Sequence, residues 1–178
     1  MRYAAFLRAI NVGGHIVKMD RLRKLLEAAG FSGVETVIAS GNVVFESNRR
    51  ASGSLERTIE AHLQKTLGYA VATFVRSMPE LAAIAGHQPF GRISLEPGSL
   101  FIGLLHAAPD HDARRKVASL SNHVDTLVVD GREIYWLARH GFAESTISYA
   151  VVEKVLRSEA TFRNANTIKR MAAKYCVS

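Results

Sequence analysis

The order of the predicted elements limits the possible folds most strongly, because the same order runs twice along the chain. The first pass reads as strand, helix, two strands, helix and strand, from the spacing of apolar residues. Its predicted strands cover 2–10, 34–39, 43–46 and 70–75, and its predicted helices cover 19–29 and 55–67. This β-α-β-β-α-β order is typical of a ferredoxin-like motif.

The second pass repeats the order with one addition. Its predicted strands cover 100–106, 126–129, 133–137 and 160–162, and its predicted helices cover 110–120, 146–156 and 167–175. Between the passes, Ser77 and Glu80 form a capping-box pattern that predicts a short helix. We therefore predict an α+β fold of two ferredoxin-like (βαββαβ) halves. They are residues 1–76 and residues 98–178 with an extra C-terminal helix, joined by a helical linker at 77–97.

Composition and targeting signals indicate an ordinary core-forming protein. Of the 178 residues, 48% are apolar and 22% are charged, which excludes a disordered chain, a collagen-like repeat and a disulfide scaffold. Cys176 is the only cysteine, which fits a reducing compartment. No apolar run approaches the roughly 20 residues of a membrane span, and no signal peptide is recognisable. We expect a cytoplasmic protein without a membrane partner, and the oligomeric state stays open.

The charge balance points to anionic partners, whereas the usual catalytic and cofactor motifs are absent from the sequence. There are 23 basic and 16 acidic residues, a net charge of +7, which favours a phosphorylated small molecule, a nucleic acid or an acidic surface as partner. No phosphate-binding loop, dinucleotide fingerprint or metal-binding His pair occurs, so we expect no cofactor and no metal. His15 and His140 have the chemistry of a general base, but such loop histidines are more often solvated polar residues.

A first candidate site follows from the topology. In a ferredoxin-like sheet the first two strands are parallel and the third lies between them. The loop after strand one and the turn before strand three therefore share an edge. The loop also precedes a helix, whose N-terminus favours an anion. The candidate ligand-binding residues of this first site are Arg8, Asn11, Gly13, Gly14, Lys18, Ser40, Gly41 and Asn42. We expect Asn11 to bond across to the Ser40 turn.

A second candidate site lies where strands three and four of the second half end. The residues after the fourth strand open the last helix, and their polar side chains can bind phosphate. They are Arg163, Asn164, Asn166 and Thr167. Both candidate sites also have a structural interpretation. Asn-Gly and Ser-Gly-Asn are common turn sequences, and Asn and Thr are common helix caps.

Three segments resemble a known bacterial family, the domain of unknown function 1697. They are Arg8-Ala9-Ile10-Asn11-Val12-Gly13-Gly14, Ser40 to Phe45, and Thr161 to Thr167. Ala9 stands where the family has glycine, and Ala165 stands where it has tryptophan. The stretch 141–147 also lacks the family's lysine. The resemblance implies a fold of two related α+β halves and implies no known activity.

Three functions are compatible with the sequence. The leading hypothesis is a binding protein for a phosphorylated or nucleic-acid ligand, held at the first candidate site. One alternative is a small-molecule enzyme with its chemistry between the halves, so whether the protein is an enzyme stays open. The other alternative is an interaction protein that uses an open sheet edge. The ferredoxin-like fold does not choose among them, since it serves many functions.

Overall fold

The computed structural model describes residues 1–38, 41–91 and 99–176. The chain forms two compact units, Met1–Leu81 and Ala82–Ser178. Each unit contains one four-stranded antiparallel sheet with helices, so the fold is mixed α+β as predicted. Within the described ranges, no helix is both long and apolar enough to cross a bilayer.

The first unit has four strands in the order β2-β3-β1-β4. In chain order its elements are β1 (Arg2–Leu7), α1 (Met19–Ala28), β2 (Ser32–Val37), β3 (Asn42–Glu46), α2 (Ser52–Leu67) and β4 (Thr73–Ser77), followed by α3 (Met78–Gly86), which runs into the second unit. Both β1 and β2 are antiparallel to β3, so they are parallel to each other.

β1 is buried on both faces of the first sheet. Tyr3, Ala5 and Leu7 belong to the same buried apolar cluster as Leu22 of α1 and Ile59 of α2. The whole stretch from Tyr3 to Leu7 is buried, so residues on both faces of β1 are inaccessible to solvent. The strand therefore reads as a continuous apolar run rather than an alternating one.

The second unit repeats the arrangement with strands in the order β6-β7-β5-β8. Its elements are β5 (Leu100–Leu104), α4 (His111–Ser119), β6 (Asp125–Asp130), β7 (Glu133–Ala138), α5 (Tyr149–Leu156), β8 (Thr161–Asn164) and α6 (Ala165–Tyr175). At its centre Trp136 is fully buried, and its indole Nε1 donates to Asp125 Oδ1 at 2.8 Å.

Several predicted boundaries shift for identifiable reasons. β1 ends at Leu7 rather than at residue 10, because Ala9 has a positive φ of 53° that an extended strand does not accommodate. α5 begins at Tyr149 rather than at residue 146, because Ser148 caps it and accepts from the Val151 N–H. The 3-10 turn Phe142–Glu144 was not predicted.

The outer edge of β4 is closed by carboxylates from α2. Glu56 Oε1 accepts from the Val75 N–H at 2.9 Å, and Glu60 Oε1 accepts from the Thr73 N–H at 2.8 Å. These are alternate residues of an edge strand, whose outward N–H groups otherwise attract another strand. The carboxylates therefore satisfy the backbone of β4 from within the unit.

The capping box before α3 is confirmed and completes this edge. Glu80 Oε2 accepts from the Ser77 backbone N–H at 2.7 Å and from its hydroxyl at 2.9 Å. In return the Glu80 N–H donates to Ser77 Oγ at 3.4 Å. Ser77 is the next outward-facing residue of β4 after Val75. The Glu80 carboxylate therefore caps the start of α3 and also accepts from the last outward N–H of β4.

Candidate functional site

The loop between β1 and α1 lies beside the start of β3. The Leu7 N–H donates to the Gly41 carbonyl at 2.8 Å, and Phe6 pairs with Asn42. The loop and the turn before β3 therefore share one edge of the sheet, as the predicted strand order requires. Of the predicted turn residues, Ser40 lies outside the described residues.

The β1–α1 loop is held in place at three points. The Tyr69 hydroxyl donates to the Ile10 carbonyl at 3.0 Å, and the His15 ring stacks on Tyr69 with centroids 3.8 Å apart. The Val17 N–H donates to Asn11 Oδ1 at 2.7 Å. Asn11 thus closes its own loop, where we expected a bond across to the Ser40 turn. The stack also gives His15 a packing role.

Tyr69 is a residue that the sequence analysis missed. It follows Gly68, which ends α2 in a left-handed conformation with φ of 83°. The residue after such a glycine often packs back onto the structure. That position is the one local signal for Tyr69, since its partner Ile10 lies 59 residues earlier in the chain.

The tip of the loop is exposed and has positive φ angles. Gly13 and Gly14 have φ of 69° and 84°, a region that favours glycine. The flanking side chains of Val12 and Ile16 are 62% and 80% exposed. The tip therefore presents backbone and two apolar side chains to solvent, while the loop base is anchored.

Basic residues outnumber acidic ones around this tip. Arg8 precedes the loop and is half-buried, and its N–H donates to the Ala72 carbonyl at 2.8 Å. Lys18 and Arg21 are exposed at the start of α1, as is Asp20. Within the described part of the chain, the Lys18 side chain makes no capping hydrogen bond to α1. α1 begins at Met19, five residues after Gly14, and its first N–H groups carry the positive end of the helix dipole.

Gly41 and Asn42 are buried at the start of β3. Asn42 is fully buried, and its Nδ2 donates to the Val37 carbonyl at 3.2 Å, which ties β3 to the end of β2. Gly41 has φ of 75°, and a Cβ there would lie 3.1 Å from the Leu7 carbonyl oxygen. Gly41 therefore packs against the base of the loop, Asn42 holds β2 and β3 together, and neither faces solvent.

We expect the two loop-region glycines to differ in their response to alanine. At Gly13 a Cβ meets nothing within 4 Å, so the Gly13→Ala change costs only the left-handed strain, about 1 kcal/mol. At Gly41 the same strain is joined by the close approach to Leu7, so Gly41→Ala costs about 2 to 3 kcal/mol. Urea unfolding of both variants measures the difference. Equal losses would contradict the supporting role of Gly41.

The second candidate site is brought together at the start of α6. Asn164 caps this helix through its Oδ1, which accepts from the Asn166 N–H at 2.9 Å. Asn166 itself is exposed, and Thr167 is half-buried. The Asn164 side chain is thus used by its own helix, as an ordinary cap would be.

Arg163 is largely withdrawn from solvent. Its Nη1 donates to Thr161 Oγ1 at 2.8 Å and to the Phe162 carbonyl at 2.9 Å. Burial lowers the pKa of this guanidinium to about 10, and the neighbouring Tyr149 acts in the opposite direction. Arg163 therefore serves its own strand, and these contacts leave Asn166 as the exposed member of the second site.

An aromatic cluster on the second unit was also missed. Phe142 and Tyr149 lie against Trp136, with ring centroids 5.3 and 5.8 Å away, and Tyr149 stacks on Phe162 at 4.4 Å. Gly103 makes room for this cluster, because a Cβ there would lie 2.6 Å from Phe162 Cε1. A glycine inside a predicted strand was the available signal.

The described residues contain no group of three His, Cys, Asp or Glu side chains that could hold a metal ion. The β1–α1 loop itself offers a ligand backbone amides, cations and apolar side chains.

Comparison with known proteins connects the chain to others of unknown role. The model of the family described as "Protein of unknown function (DUF1697)" matches residues 1–135, which include the first candidate site. The motif at Thr161 to Thr167 lies beyond that match. A solved structure, the conserved bacterial protein SP0830 from Streptococcus pneumoniae, is 25% identical with a TM-score of 0.73. The similarity covers 99% of this chain and 98% of that one. No curated protein matches. The chain belongs to the DUF1697 family of proteins of unknown function.

Proposed function

We propose that each unit is built on a ferredoxin-like half, residues 1–76 and 98–178, with 77–97 as the connecting segment. The strand orders β2-β3-β1-β4 and β6-β7-β5-β8 support this, because the third strand of each half lies between the first two. The arrangement brings the loop after β1 to the edge where a ligand can approach it.

We propose that the protein binds the phosphate group of a phosphorylated ligand at the β1–α1 loop. One observation carries the proposal: an exposed Gly13-Gly14 tip, anchored at its base, stands in the sequence between Arg8 and Lys18, the residue that precedes α1. Backbone N–H groups, a helix dipole and cations are the components that proteins combine to hold phosphate. An anchored loop also loses little entropy when it binds.

The residues of the first site then divide into two roles. Gly13 and Gly14 let the phosphate oxygens approach the backbone, while Arg8 and Lys18 supply positive charge. Asn11 and Gly41 hold the loop in position through the hydrogen bond and contacts described above, and Asn42 fixes the start of β3 against β2. Tyr69 joins the positioning residues, because it holds Ile10 and His15.

Phosphate is shared by small phosphorylated molecules and nucleic acids, so the test has two arms. Tripolyphosphate represents the small ligand, and a short single-stranded oligonucleotide represents the nucleic acid. Oligonucleotide binding through this loop should weaken steeply as salt rises, since counterions are released from the backbone. Tripolyphosphate binding without oligonucleotide binding would assign the site to small molecules.

The Lys18→Gln variant tests the site directly. We expect its affinity for the bound probe to fall about tenfold in isothermal titration calorimetry, which is the loss of one charge-assisted contact. Lys24→Gln is the matched control, because Lys24 is exposed on the same helix but about 9 Å further along its axis. We expect it to bind within about twofold of the parent protein.

Two results would overturn the proposed phosphate site. One is an equal loss of affinity in both variants, which would indicate a general response to net charge. The other is the absence of binding by both probes at low salt. Thermal unfolding of each variant provides the folding control, since neither exposed lysine has a packing role that would change stability.

A further inference from the structure

Side chains close two of the edge strands, β4 in the first sheet and β6 in the second. β4 is closed by Glu56, Glu60 and Glu80, as described above. On β6, the Leu127 N–H donates to Ser121 Oγ at 2.9 Å, and the Val129 carbonyl accepts from Arg114 at 3.1 Å. Side chains therefore take up backbone groups that these edges would otherwise offer to another strand.

The register shows which groups β2 directs outward. Leu7 bonds toward Gly41 of β3, so alternate residues of β3 bond toward β1 and the others toward β2. Asn42 and Val44 therefore bond toward β2, where they pair with Val37 and Glu35. The backbone N–H and carbonyl groups between and beside those partners point away from β3. The outward groups are the Val34 carbonyl, the Thr36 N–H and carbonyl, and the Ile38 N–H.

No hydrogen bond from residues 1–38, 41–91 or 99–176 reaches these four outward groups. The Ile38 side chain beside them is 50% exposed. At the other end, a register shift between Ser32 and Glu35 interrupts the ladder, so the available stretch begins at Val34. β2 and the following Ile38 thus present a short backbone edge that no residue in the described ranges caps.

We propose that β2 pairs antiparallel with β2 of a second copy of this chain, about a twofold axis at Thr36. The four outward groups are arranged symmetrically around Thr36. The Thr36 N–H of each copy meets the Thr36 carbonyl of the other, and each Ile38 N–H meets the Val34 carbonyl of the other. This gives four hydrogen bonds and leaves none of the four groups unused. The interface is isologous, as in most homodimers.

The side chains of β2 fit this register. Ile38 directly follows β2 and has φ of 55°, so the register places its N–H, which shares a peptide plane with the Val37 carbonyl, against Val34 of the other copy. Glu35 lies across from Val37 rather than from a second Glu35, which avoids a like-charge pair. Its carboxylate already contacts the Arg2 guanidinium at 3.2 Å within its own unit. The net charge of +7 opposes association in general, so a dimer here depends on this local complementarity.

Sedimentation velocity of the full chain, from about 1 µM to about 1 mM, tests the dimer. We expect a species of twice the 19.5 kDa monomer mass. Ile38→Lys introduces a charge next to the pairing Ile38 N–H, and Thr36→Pro removes the central N–H where an edge strand tolerates proline. Each should raise the dissociation constant at least about tenfold. Val151→Lys is the control, because Val151 is an exposed aliphatic residue of α5 with 42% exposure.

Hydrogen exchange of the Thr36 amide separates this dimer from any other. We expect slow exchange in the parent protein at high concentration and fast exchange in Ile38→Lys. A monomer throughout the concentration range would overturn the proposal. So would a dimer that survives both β2 variants, or one whose Thr36 amide exchanges at the rate of an open edge.

Discussion

Replacing Trp136 with alanine is expected to lower the free energy of unfolding by about 4 kcal/mol. Trp136 is fully buried, and its ring makes edge contacts with Phe142, Tyr149 and Phe162. Its removal opens a cavity at the centre of the second unit and takes the indole donor away from Asp125. Urea unfolding, followed by far-ultraviolet circular dichroism, measures the loss.

Trp136→Phe separates the two parts of this effect. Phenylalanine keeps most of the ring contacts but leaves the fully buried Asp125 carboxylate without the indole N–H. We expect a loss of about 2 to 3 kcal/mol, because the buried Asp125 Oδ1 loses its donor while Oδ2 still accepts from the Thr146 N–H. A loss below about 1 kcal/mol would mean that the Asp125 hydrogen bond contributes little to stability.

Replacing Glu56 with alanine is expected to cost about 3 kcal/mol, the second-largest effect we anticipate. Glu56 is 4% exposed and accepts from the Val75 N–H in a buried hydrogen bond. Alanine leaves that N–H unsatisfied and removes buried volume beneath α2. The midpoint of thermal unfolding should fall by about 5 to 10 °C in a chain of this size.

Glu56→Gln is the matched control, because its side-chain oxygen can still accept from Val75. We expect it to recover at least half of the stability lost in Glu56→Ala. If glutamine and alanine destabilise the protein equally, the carboxylate charge matters rather than the closure of β4.

Ser121→Ala, which removes the hydroxyl that accepts from the Leu127 N–H on β6, should lower the free energy of unfolding by about 1 kcal/mol by the same reasoning.

Much of the fold was predictable because its signals are local. The apolar spacing of α1, the glycine that ends α2 and the Asp130-Gly131 turn each act within a few residues. The 3-10 turn at Phe142 was not predictable in this way. It is held by contacts with Trp136 and Tyr149, which belong to other elements and have no local sequence signal.

The position of the β1–α1 loop beside Gly41 was predictable, but the hydrogen bonds within it were not. Strand order alone places the β1–α1 loop beside Gly41, and this needs no side-chain detail. The direction in which Asn11 and Asn42 turn depends on which backbone groups the fold brings near them. In the folded unit Asn11 accepts from the Val17 N–H and Asn42 donates to the Val37 carbonyl. Composition could not reveal that both asparagines have structural partners.

The most direct test of phosphate binding is an amide chemical-shift titration of the full chain with tripolyphosphate at low salt. Our proposal predicts saturable shifts centred on Gly13, Gly14 and the first turn of α1, and a much weaker response in Lys18→Gln. Shifts centred on Asn164 to Thr167, or no saturable shift at Gly13 and Gly14, would contradict the proposed site.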